Sequence, residues 1–381
     1  MDENELRGLM LSVEVPPSGA DVRQAMDTAR RRRRGQVVLA TKAGAAVLIA
    51  AGAFVAIQPL RSGPPAAPGP AAPGPTATPV SKNACVPAVL ETPGGVPGRI
   101  TAVDHTGTTI AGQLSTDPAQ AILWRDGKVV DLPPGATGTI VDVSGDTVVG
   151  YSATESDEST GWVWRDGKVT TLAKVKGYRW TNPSAINAAG VIAGWVHGEA
   201  LDESLPVVWT PDGKVHKLRL PALPGGPDTG SATARAISDD GKIGGEVHGF
   251  PVVWRPDGKP EVMASPYGAE SGIVWAVAGR YAYGNADDIE IRWDLDVYSV
   301  SVLPDSGDLG ARDGTADGTA LMAGDGLEKP ALRILLAGRT DPLTGPDGEF
   351  ATATTISADG TTVGGSILDG ERNRPVVWRC R

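Results

Sequence analysis

Two short patterns of hydrophobic and polar residues alternate along the chain from residue 83 to its end. The first places small and apolar residues around a turn and closes on a glycine, as in AINAAGVIAG at 185–194. The second places apolar residues and a tryptophan before an Asp-Gly turn and another apolar run, as in GWVWRDGKVTTL at 161–172. Val, Ile and Trp favour strands, whereas Asp-Gly and Asn-Ala-Ala-Gly accept the positive φ of tight turns. Each pattern therefore predicts a β-hairpin, and one pair of hairpins predicts a four-stranded sheet.

Both patterns occur seven times. The glycines that close the first pattern are Gly112, Gly150, Gly194, Gly245, Gly284, Gly324 and Gly365. The second pattern carries Trp124, Trp164, Trp209, Trp254, Trp293 and Trp378, with Arg333 in the equivalent place of the sixth copy. The glycines lie 38 to 51 residues apart, and a period near 40 with four short strands is typical of propeller blades. We therefore predict an all-β fold over 83–381, a seven-bladed β-propeller of four-stranded blades with the tryptophans between neighbouring blades.

The seventh copy stops at Cys380 and Arg381, where its fourth strand should begin. The segment 85–93, before the first copy, resembles that missing strand, so we expect the N-terminal strand to complete the last blade. Cys85 and Cys380 are the only cysteines, and this topology would bring them together as a disulfide in an oxidising compartment. The alternative is a pair of buried, unpaired thiols.

The N-terminal part has a different pattern. Residues 1–34 are polar and end in a run of arginines, and we expect them to form a cytoplasmic tail. Residues 35–57 carry one charge, Lys42, and are numerous enough for a transmembrane helix. Residues 58–82 form a linker rich in Pro, Ala and Gly. These features predict a single-pass plasma-membrane protein with an extracytoplasmic propeller. A cleaved signal peptide is the alternative to the anchor.

The repeats resemble the bacterial extracellular HAF-type repeat family. The resemblance rests on Ala185 to Gly194 and on Gly161 to Leu172, and it covers about 83–380. The His-Ala-Phe that this family places before the tryptophan reads AIL, GWV or PVV here. The resemblance implies repeats that are similar to propeller blades, and it implies no established activity. The arginine run, anchor and linker resemble membrane proteins of high-GC Gram-positive bacteria.

Charge and motifs exclude several classes of function. The formal net charge is −10, which disfavours a nucleic-acid partner. The four histidines, His105, His197, His216 and His248, form no metal-binding or catalytic motif. Most aspartates lie in Asp-Gly turns, which explain them without chemistry. We therefore expect no cofactor, no metal and no catalytic residue.

Several bulky or cationic residues depart from the repeat. Trp180 and Trp275 lie where the chain enters an inner strand, and Trp195 follows the closing Gly194. Arg235 and Arg312 occupy places equivalent to Trp275. We expect these five residues in loops on one propeller face, as a ligand-binding mouth. The alternative is partial burial under long loops. Trp162, two residues before Trp164, is expected to pack between blades.

The same face carries acidic loops. Their residues are Glu155, Asp157, Glu158, Glu199, Asp202, Glu203, Asp287, Asp288 and Glu290. They would recruit a cation or a basic partner, or they would serve as a solvated surface.

The leading hypothesis is a monomeric, non-catalytic binding or scaffold module for a glycan or protein ligand. A second hypothesis is signalling, in which the cytoplasmic tail docks a regulator such as a sigma factor. A third is a propeller hydrolase or lyase, because propellers also host enzymes.

Overall fold

The computed structural model describes residues 85–380 with short gaps in its loops. The gaps are 117–118, 133–134, 154–158, 199–202, 224–230, 267–268, 270, 305–308, 325–330, 335–337 and 370–371. The predicted tail (1–34), membrane helix (35–57) and linker (58–82) lie outside the described residues. Within the described part of the chain, no helix is long and apolar enough to span a membrane.

Seven antiparallel four-stranded sheets make up the described domain. The chain begins with β1 (Val86–Val89) and a 3₁₀ turn (Pro93–Gly95). Blade 1 contains β2 (Gly98–Val103), β3 (Thr109–Leu114), β4 (Gln120–Arg125) and β5 (Lys128–Val130). Blade 2 contains β6 (Thr139–Ser144), β7 (Thr147–Ala153), β8 (Ser159–Arg165) and β9 (Lys168–Thr171). Blade 3 contains β10 (Trp180–Ile186), β11 (Ile192–His197), β12 (Ser204–Trp209) and β13 (Val215–Lys217).

The remaining blades follow the same order. Blade 4 contains β14 (Ala232–Ile237), β15 (Ile243–Val247), β16 (Phe250–Trp254) and β17 (Pro260–Val262). Blade 5 contains β18 (Gly272–Ala278), β19 (Tyr281–Ala286), β20 (Ile289–Asp294) and β21 (Ser299–Val302). Blade 6 contains β22 (Gly310–Gly314), β23 (Ala320–Ala323), β24 (Ala331–Ile334) and β25 (Thr340–Leu343). Blade 7 contains β26 (Ala351–Ile356), β27 (Thr362–Asp369) and β28 (Arg372–Arg379). The predicted seven-bladed propeller is confirmed.

The N-terminal strand closes the ring. β1 pairs antiparallel with β28, so that Val86 lies opposite Arg379 and Val89 opposite Val376. Blade 7 therefore has the order β26, β27, β28, β1. A disulfide joins Cys85 to Cys380 across 295 residues of sequence. Both the predicted strand pairing and the predicted disulfide are confirmed.

A tryptophan on the third strand ties each of six blades to the chain that enters it. The indole Nε1 donates a hydrogen bond of 2.6–2.9 Å to a backbone carbonyl in the segment that precedes the first strand of the same blade. The pairs are Trp124 with Glu91, Trp162 with Thr137, Trp209 with Ala173, Trp254 with Arg219, Trp293 with Ala264, and Trp378 with Thr344. Several closing glycines leave room for the ring. A Cβ on Gly112 would lie 2.8 Å from Trp124.

Blade 2 differs from the sequence interpretation. Trp162, rather than Trp164, donates the hydrogen bond and is the more deeply buried of the two. Trp162 lies opposite the closing Gly150, where a Cβ would be 2.4 Å from its ring. Trp164 lies opposite Val148, and its buried Nε1 has no hydrogen-bond partner among the described residues. Both tryptophans leave the same side of the strand. Trp162, which lies over Gly150, donates the hydrogen bond to Thr137.

Blade 6 also differs. Ile334, which pairs with Ala320, takes the place that the tryptophan has in other blades. Arg333 lies one residue away, so its side chain leaves the opposite side of the sheet. There its Nη1 lies 2.7 Å from Cys85 Sγ. The predicted equivalence of Arg333 was therefore wrong by one residue. Gly324 also lies two residues beyond the usual closing position, which Met322 occupies.

The disulfide should contribute strongly to stability. We expect the Cys85→Ser, Cys380→Ser double variant to lose up to ~5 kcal/mol of unfolding free energy, because the bond closes a very long loop in the unfolded chain. Denaturant unfolding measures this loss, and the reduced wild-type protein is the control because it loses the bond without substitution. Two free thiols in unreduced, unfolded protein would contradict the bond itself.

The two tryptophans of blade 2 provide a matched pair of variants. Trp162→Phe should cost about 1–2 kcal/mol more unfolding free energy than Trp164→Phe, because only Trp162 makes the hydrogen bond. Both substitutions remove the same atoms, so the difference reports the hydrogen bond together with the deeper burial of Trp162. Equal losses in thermal or denaturant unfolding would show that the indole N–H contributes nothing.

Candidate functional site

The first strand of every blade contains a β-bulge at the same place. The pairing with the second strand skips one residue in each blade, and this residue has no cross-strand partner. The seven bulged residues are Thr101, Val141, Ser184, Arg235, Trp275, Arg312 and Thr354. The residue before each of them is buried, whereas the bulged residues themselves are half-buried or exposed. We name these seven residues the bulge ring.

Contacts between successive blades show why this is a ring. Ser184 Oγ donates a 2.9 Å hydrogen bond to the carbonyl of Ala234, the residue before Arg235 in the next blade. Thr354 Oγ1 donates in the same way to the carbonyl of Ile100, which precedes Thr101, at 2.8 Å. Since the first strands are the innermost strands of a propeller, the bulge ring lines its axial channel.

Four side chains from four successive blades alternate along one half of this channel. The guanidinium carbon of Arg235 lies 4.2 Å from the ring centroid of Trp195 and 5.5 Å from that of Trp275. Arg312 lies 5.5 Å from the centroid of Trp275. Each contact has the geometry of a cation–π interaction, which contributes ~0.5–2 kcal/mol. We name Trp195, Arg235, Trp275 and Arg312 the Trp–Arg ladder.

Trp180 joins the ladder indirectly. Its ring stacks on His197 with centroids 4.4 Å apart and planes 4° from parallel, and Arg179 lies 4.8 Å from its centroid. Trp180 and His197 are direct partners across β10 and β11. His197 is two residues from Trp195 on β11, so both side chains leave the same side of the sheet. His197 is the residue that the sequence interpretation missed, although its alternate spacing from Trp195 was visible.

All five predicted site residues are therefore near one another, but they do not lie in loops. Trp180 and Trp195 belong to β10 and β11, and Arg235, Trp275 and Arg312 are bulged residues of β14, β18 and β22. The bulge explains the difference. An extra residue in a paired strand leaves the sheet plane, so its side chain reaches solvent without a loop.

Carboxylates lie beside both ladder arginines. Thr233 Oγ1 accepts a 3.2 Å hydrogen bond from Arg235 Nε and donates one to Glu246 Oε1. Burial lowers the pKa of Arg235, and Glu246 opposes this change. Glu290 Oε2 accepts a 2.7 Å hydrogen bond from the Ala311 N–H. Burial raises the pKa of Glu290, and the charge of Arg312 opposes this change.

The predicted acidic loops are only partly described. Glu155, Asp157, Glu158, Glu199 and Asp202 lie outside the described residues. Asp287 connects the β19–β20 turn to the residue before β18, because its carboxylate accepts hydrogen bonds from the backbone N–H and the hydroxyl of Ser271. In the described part of the chain, no group of three or more His, Cys, Asp or Glu side chains is arranged to hold a metal ion.

Two further carboxylates occupy equivalent positions in the channel wall, directly after the bulged residue. Asp142 in blade 2 accepts hydrogen bonds of 2.8 Å from the N–H groups of Val143 and Ile186. Asp313 in blade 6 accepts corresponding bonds from Gly314 and Ile356. Each carboxylate thereby joins its blade to the next one.

Burial sets the protonation of both groups. Burial, together with the smaller effect of the charges of Asp313 and Asp239, raises the pKa of Asp142 to about 7. Burial also raises the pKa of Asp313, to about 6. Their backbone hydrogen bonds oppose these shifts. The sequence signal for these residues was an aspartate where four other blades have Ala102, Ala185, Ala236 and Ala276.

Two surface concavities lie away from the ladder. A groove of about 330 Å³ between blades 4 and 5 is lined by residues that include Met263, Trp293 and Tyr298. A wider concavity of about 470 Å³ lies over turns of blades 1 and 2, beside Asp104, Arg125 and Asp146. Neither concavity is lined by a residue of the ladder.

Comparison with known proteins supports the fold. No family model and no curated protein matches this chain. A solved structure of selenomethionine-substituted virginiamycin B lyase from Staphylococcus aureus is similar over 78% of this chain and 99% of its own, with 13% identity and a TM-score of 0.51. A streptogramin B lyase structure has 12% identity, covers 78% of this chain and 98% of its own, and has a TM-score of 0.45. A structure of U3-55K has 12% identity, covers 77% of this chain and 98% of its own, and has a TM-score of 0.48. The first likeness shows the propeller fold alone, and the other two carry no argument. The likeness to HAF-type repeats stays a prediction.

The raised pKa values predict a pH dependence of stability. An unfolded aspartate titrates near 3.8, so the contribution of Asp142 is fully present below pH ~4 and is lost as the pH rises to about 7. Between pH 4 and 8, the unfolding free energy of the wild type should therefore fall relative to that of Asp142→Ala, by at most ~4 kcal/mol. Alanine is the residue that four other blades have here, so the variant should fold. A difference that is independent of pH would contradict the raised pKa.

Proposed function

We propose that this protein is a non-catalytic, extracytoplasmic binding propeller whose ligand, a glycan or a protein, engages the Trp–Arg ladder. The single observation that supports this proposal is the ladder itself. It runs through four successive blades beside the axial channel, and its members are half-buried rather than fully buried.

The ladder is not a requirement of the fold. Every blade contains the same bulge, yet the bulged residues of blades 7, 1, 2 and 3 are Thr354, Thr101, Val141 and Ser184. Small side chains therefore satisfy the backbone at this position. Arg235, Trp275 and Arg312 add bulk and charge that the bulge does not need, and Trp and Arg dominate binding hot spots in proteins.

An enzymatic alternative rests on Asp142 and Asp313. A carboxylate with a pKa near neutrality at a channel is a candidate general base. Both oxygens of each carboxylate, however, accept backbone hydrogen bonds that join neighbouring blades. That structural role accounts for the two residues, so we favour binding over a hydrolase or lyase activity.

The cellular setting is part of the same proposal. The disulfide between Cys85 and Cys380 fits an oxidising, extracytoplasmic compartment. A transmembrane helix over 35–57 would tether the propeller as a monomer to the membrane. The tail 1–34 would then lie in the cytoplasm, where the signalling alternative expects a regulator such as a sigma factor.

Binding should depend on the indoles of the ladder. We expect Trp195→Ala and Trp275→Ala to weaken binding of a ligand at least ~30-fold, because hot-spot aromatics contribute 2 kcal/mol or more. A glycan array and a peptide array would be probed with the full chain, and the strongest ligand would then be titrated by calorimetry.

Trp164→Ala is the matched control, because Trp164 lies outside the ladder and its Nε1 has no hydrogen-bond partner to lose among the described residues. An unchanged affinity in both ladder variants would remove the ladder as the binding site. Arrays without any ligand would contradict the binding function.

A further inference from the structure

The outermost strands of the blades differ in how their free edges are protected. Each outer strand pairs with one neighbour only, so its other edge is open. Proteins block such edges with charged residues, Lys above all, and with Pro, which discourage a further strand. Six of the seven outer strands contain such a residue: Pro87 in β1, Lys128 in β5, Lys168 in β9, Lys217 in β13, Pro260 in β17 and Pro342 in β25. The exception is β21 of blade 5, which reads SVSV.

The backbone of β21 has groups that face its open edge. The Leu303 N–H, directly after the strand, donates a hydrogen bond to the Glu290 carbonyl of β20. Alternate residues of an antiparallel strand direct their N–H and C=O groups to opposite sides. Val300 and Val302 therefore direct theirs away from β20, toward the open edge.

Prolines in other blades occupy these same two positions. Pro87 and Pro260 lie opposite the third-strand tryptophan, as Val300 does in blade 5. Pro342 has the position of Val302 in blade 6. Proline has no N–H, so these strands lack an edge donor that β21 retains. The fold accepts a blocked edge at both positions, and blade 5 leaves both of them unblocked.

The turn that leads into β21 also departs from the repeat. In five other blades the last residue of this turn is a glycine with φ of 74–82°: Gly127, Gly167, Gly213, Gly258 and Gly338. Blade 5 has Tyr298 there with φ of 55°, a conformation that is unfavourable for a bulky residue. The guanidinium carbon of Arg255 in blade 4 lies 5.7 Å from the Tyr298 ring centroid. The repeat itself does not require a tyrosine at this position.

Exposed hydrophobic side chains surround β21. Val297 and Tyr298 are 62% and 69% exposed, the highest values among large hydrophobic residues in the described part of the chain. Val302 and, across the blade boundary, Val262 of β17 are also exposed. Val300 and Val302 leave the side of the sheet that faces blade 4. The groove of about 330 Å³ lies between these two blades. A strand added to β21 would direct alternate side chains into it.

Charge beside the groove favours a basic partner. Arg255 forms an ion pair with Glu261, and Arg280 forms one with Asp294. Asp296 lies 3.7 Å from Arg280 Nε and has the most exposed side chain of the three carboxylates. Three carboxylates thus share two guanidinium groups, on a chain of net charge −10. A Lys or Arg on the partner would complement this excess.

From these features we infer that β21 is a second interaction surface, where an extended segment of a partner protein adds a further strand to blade 5. The segment pairs with Val300 and Val302, places alternate apolar side chains in the groove and brings a Lys or Arg to Asp296. A second copy of the chain fits less well. The edge is only four residues long, a stable dimer needs on the order of 1,200 Å² of interface, and two copies of this acidic chain repel each other.

A displayed peptide library provides the probe. Each peptide has Lys at both ends and three variable apolar residues separated by Thr, so that one face of the extended peptide is apolar. The full chain should enrich a subset of these peptides. The most enriched peptide, made synthetically, should bind at least ~10-fold more tightly than its counterpart with Glu in place of both Lys residues, because the groove is acidic.

A matched pair of proline variants tests the open edge. Val300→Pro removes an N–H that faces the edge and should weaken peptide binding at least ~10-fold. Val129→Pro makes the same change at the equivalent position of β5 in blade 1 and should leave binding unchanged. Thermal unfolding shows whether each variant folds. Val302→Lys, which imitates Lys217 of β13, should weaken binding to the same extent and remains informative if Val300→Pro fails to fold.

Three results would overturn the inference. The first is a library from which the full chain enriches no peptide. The second is an enriched peptide that binds Val300→Pro and Val302→Lys as tightly as the wild type. The third is a dimer of the full chain in sedimentation that Val302→Lys abolishes, because the edge would then serve a second copy.

Discussion

The hydrogen bonds between β1 and β28 hold the first and last described strands in one sheet, and every other feature of the ring depends on them. Seven blades share their inner contacts in a circle, so a gap at one seam would expose the faces of two sheets. The disulfide between Cys85 and Cys380 reinforces the pairing at its end. Arg333 adds a contact from blade 6 to Cys85. Three kinds of interaction thus meet where the two ends of the described ring come together.

Within the closed ring, repeated backbone geometry determines which residues reach the axis. Each blade uses its third-strand tryptophan, or Ile334 in blade 6, to fill the space near the incoming chain. The bulge of the first strand then directs one unpaired residue toward the channel. Hydrogen bonds that Ser184 and Thr354 donate, and that Asp142 and Asp313 accept, link successive inner strands. The Trp–Arg ladder continues this circuit through blades 3 to 6 with cation–π contacts.

Much of this architecture could be predicted from the sequence, because seven copies of one pattern identify the strands and turns more clearly than a single copy does. The seven copies, the four strands in each and the completion of the last blade by 85–93 all follow from pattern alone. Finer positions could not be predicted in the same way. The exchange of Trp162 for Trp164 depends on which ring lies over Gly150, and the shift from Arg333 to Ile334 depends on register. The bulge was hidden because its seven residues share no chemical type. Comparison of equivalent positions still grouped Arg235 and Arg312 with Trp275.

A bulged residue has no cross-strand partner, so its identity does not affect the register of the strands around it. The seven positions of the bulge ring can therefore accept different side chains while the strand pairing around them stays the same. The chain already contains hydroxyl, aliphatic, aromatic and cationic residues at these positions. Combinatorial replacement of the seven positions would generate a repertoire of channel linings on one scaffold. Divergence among related chains at these positions would then change what is recognised while the hydrophobic layers between blades stay the same.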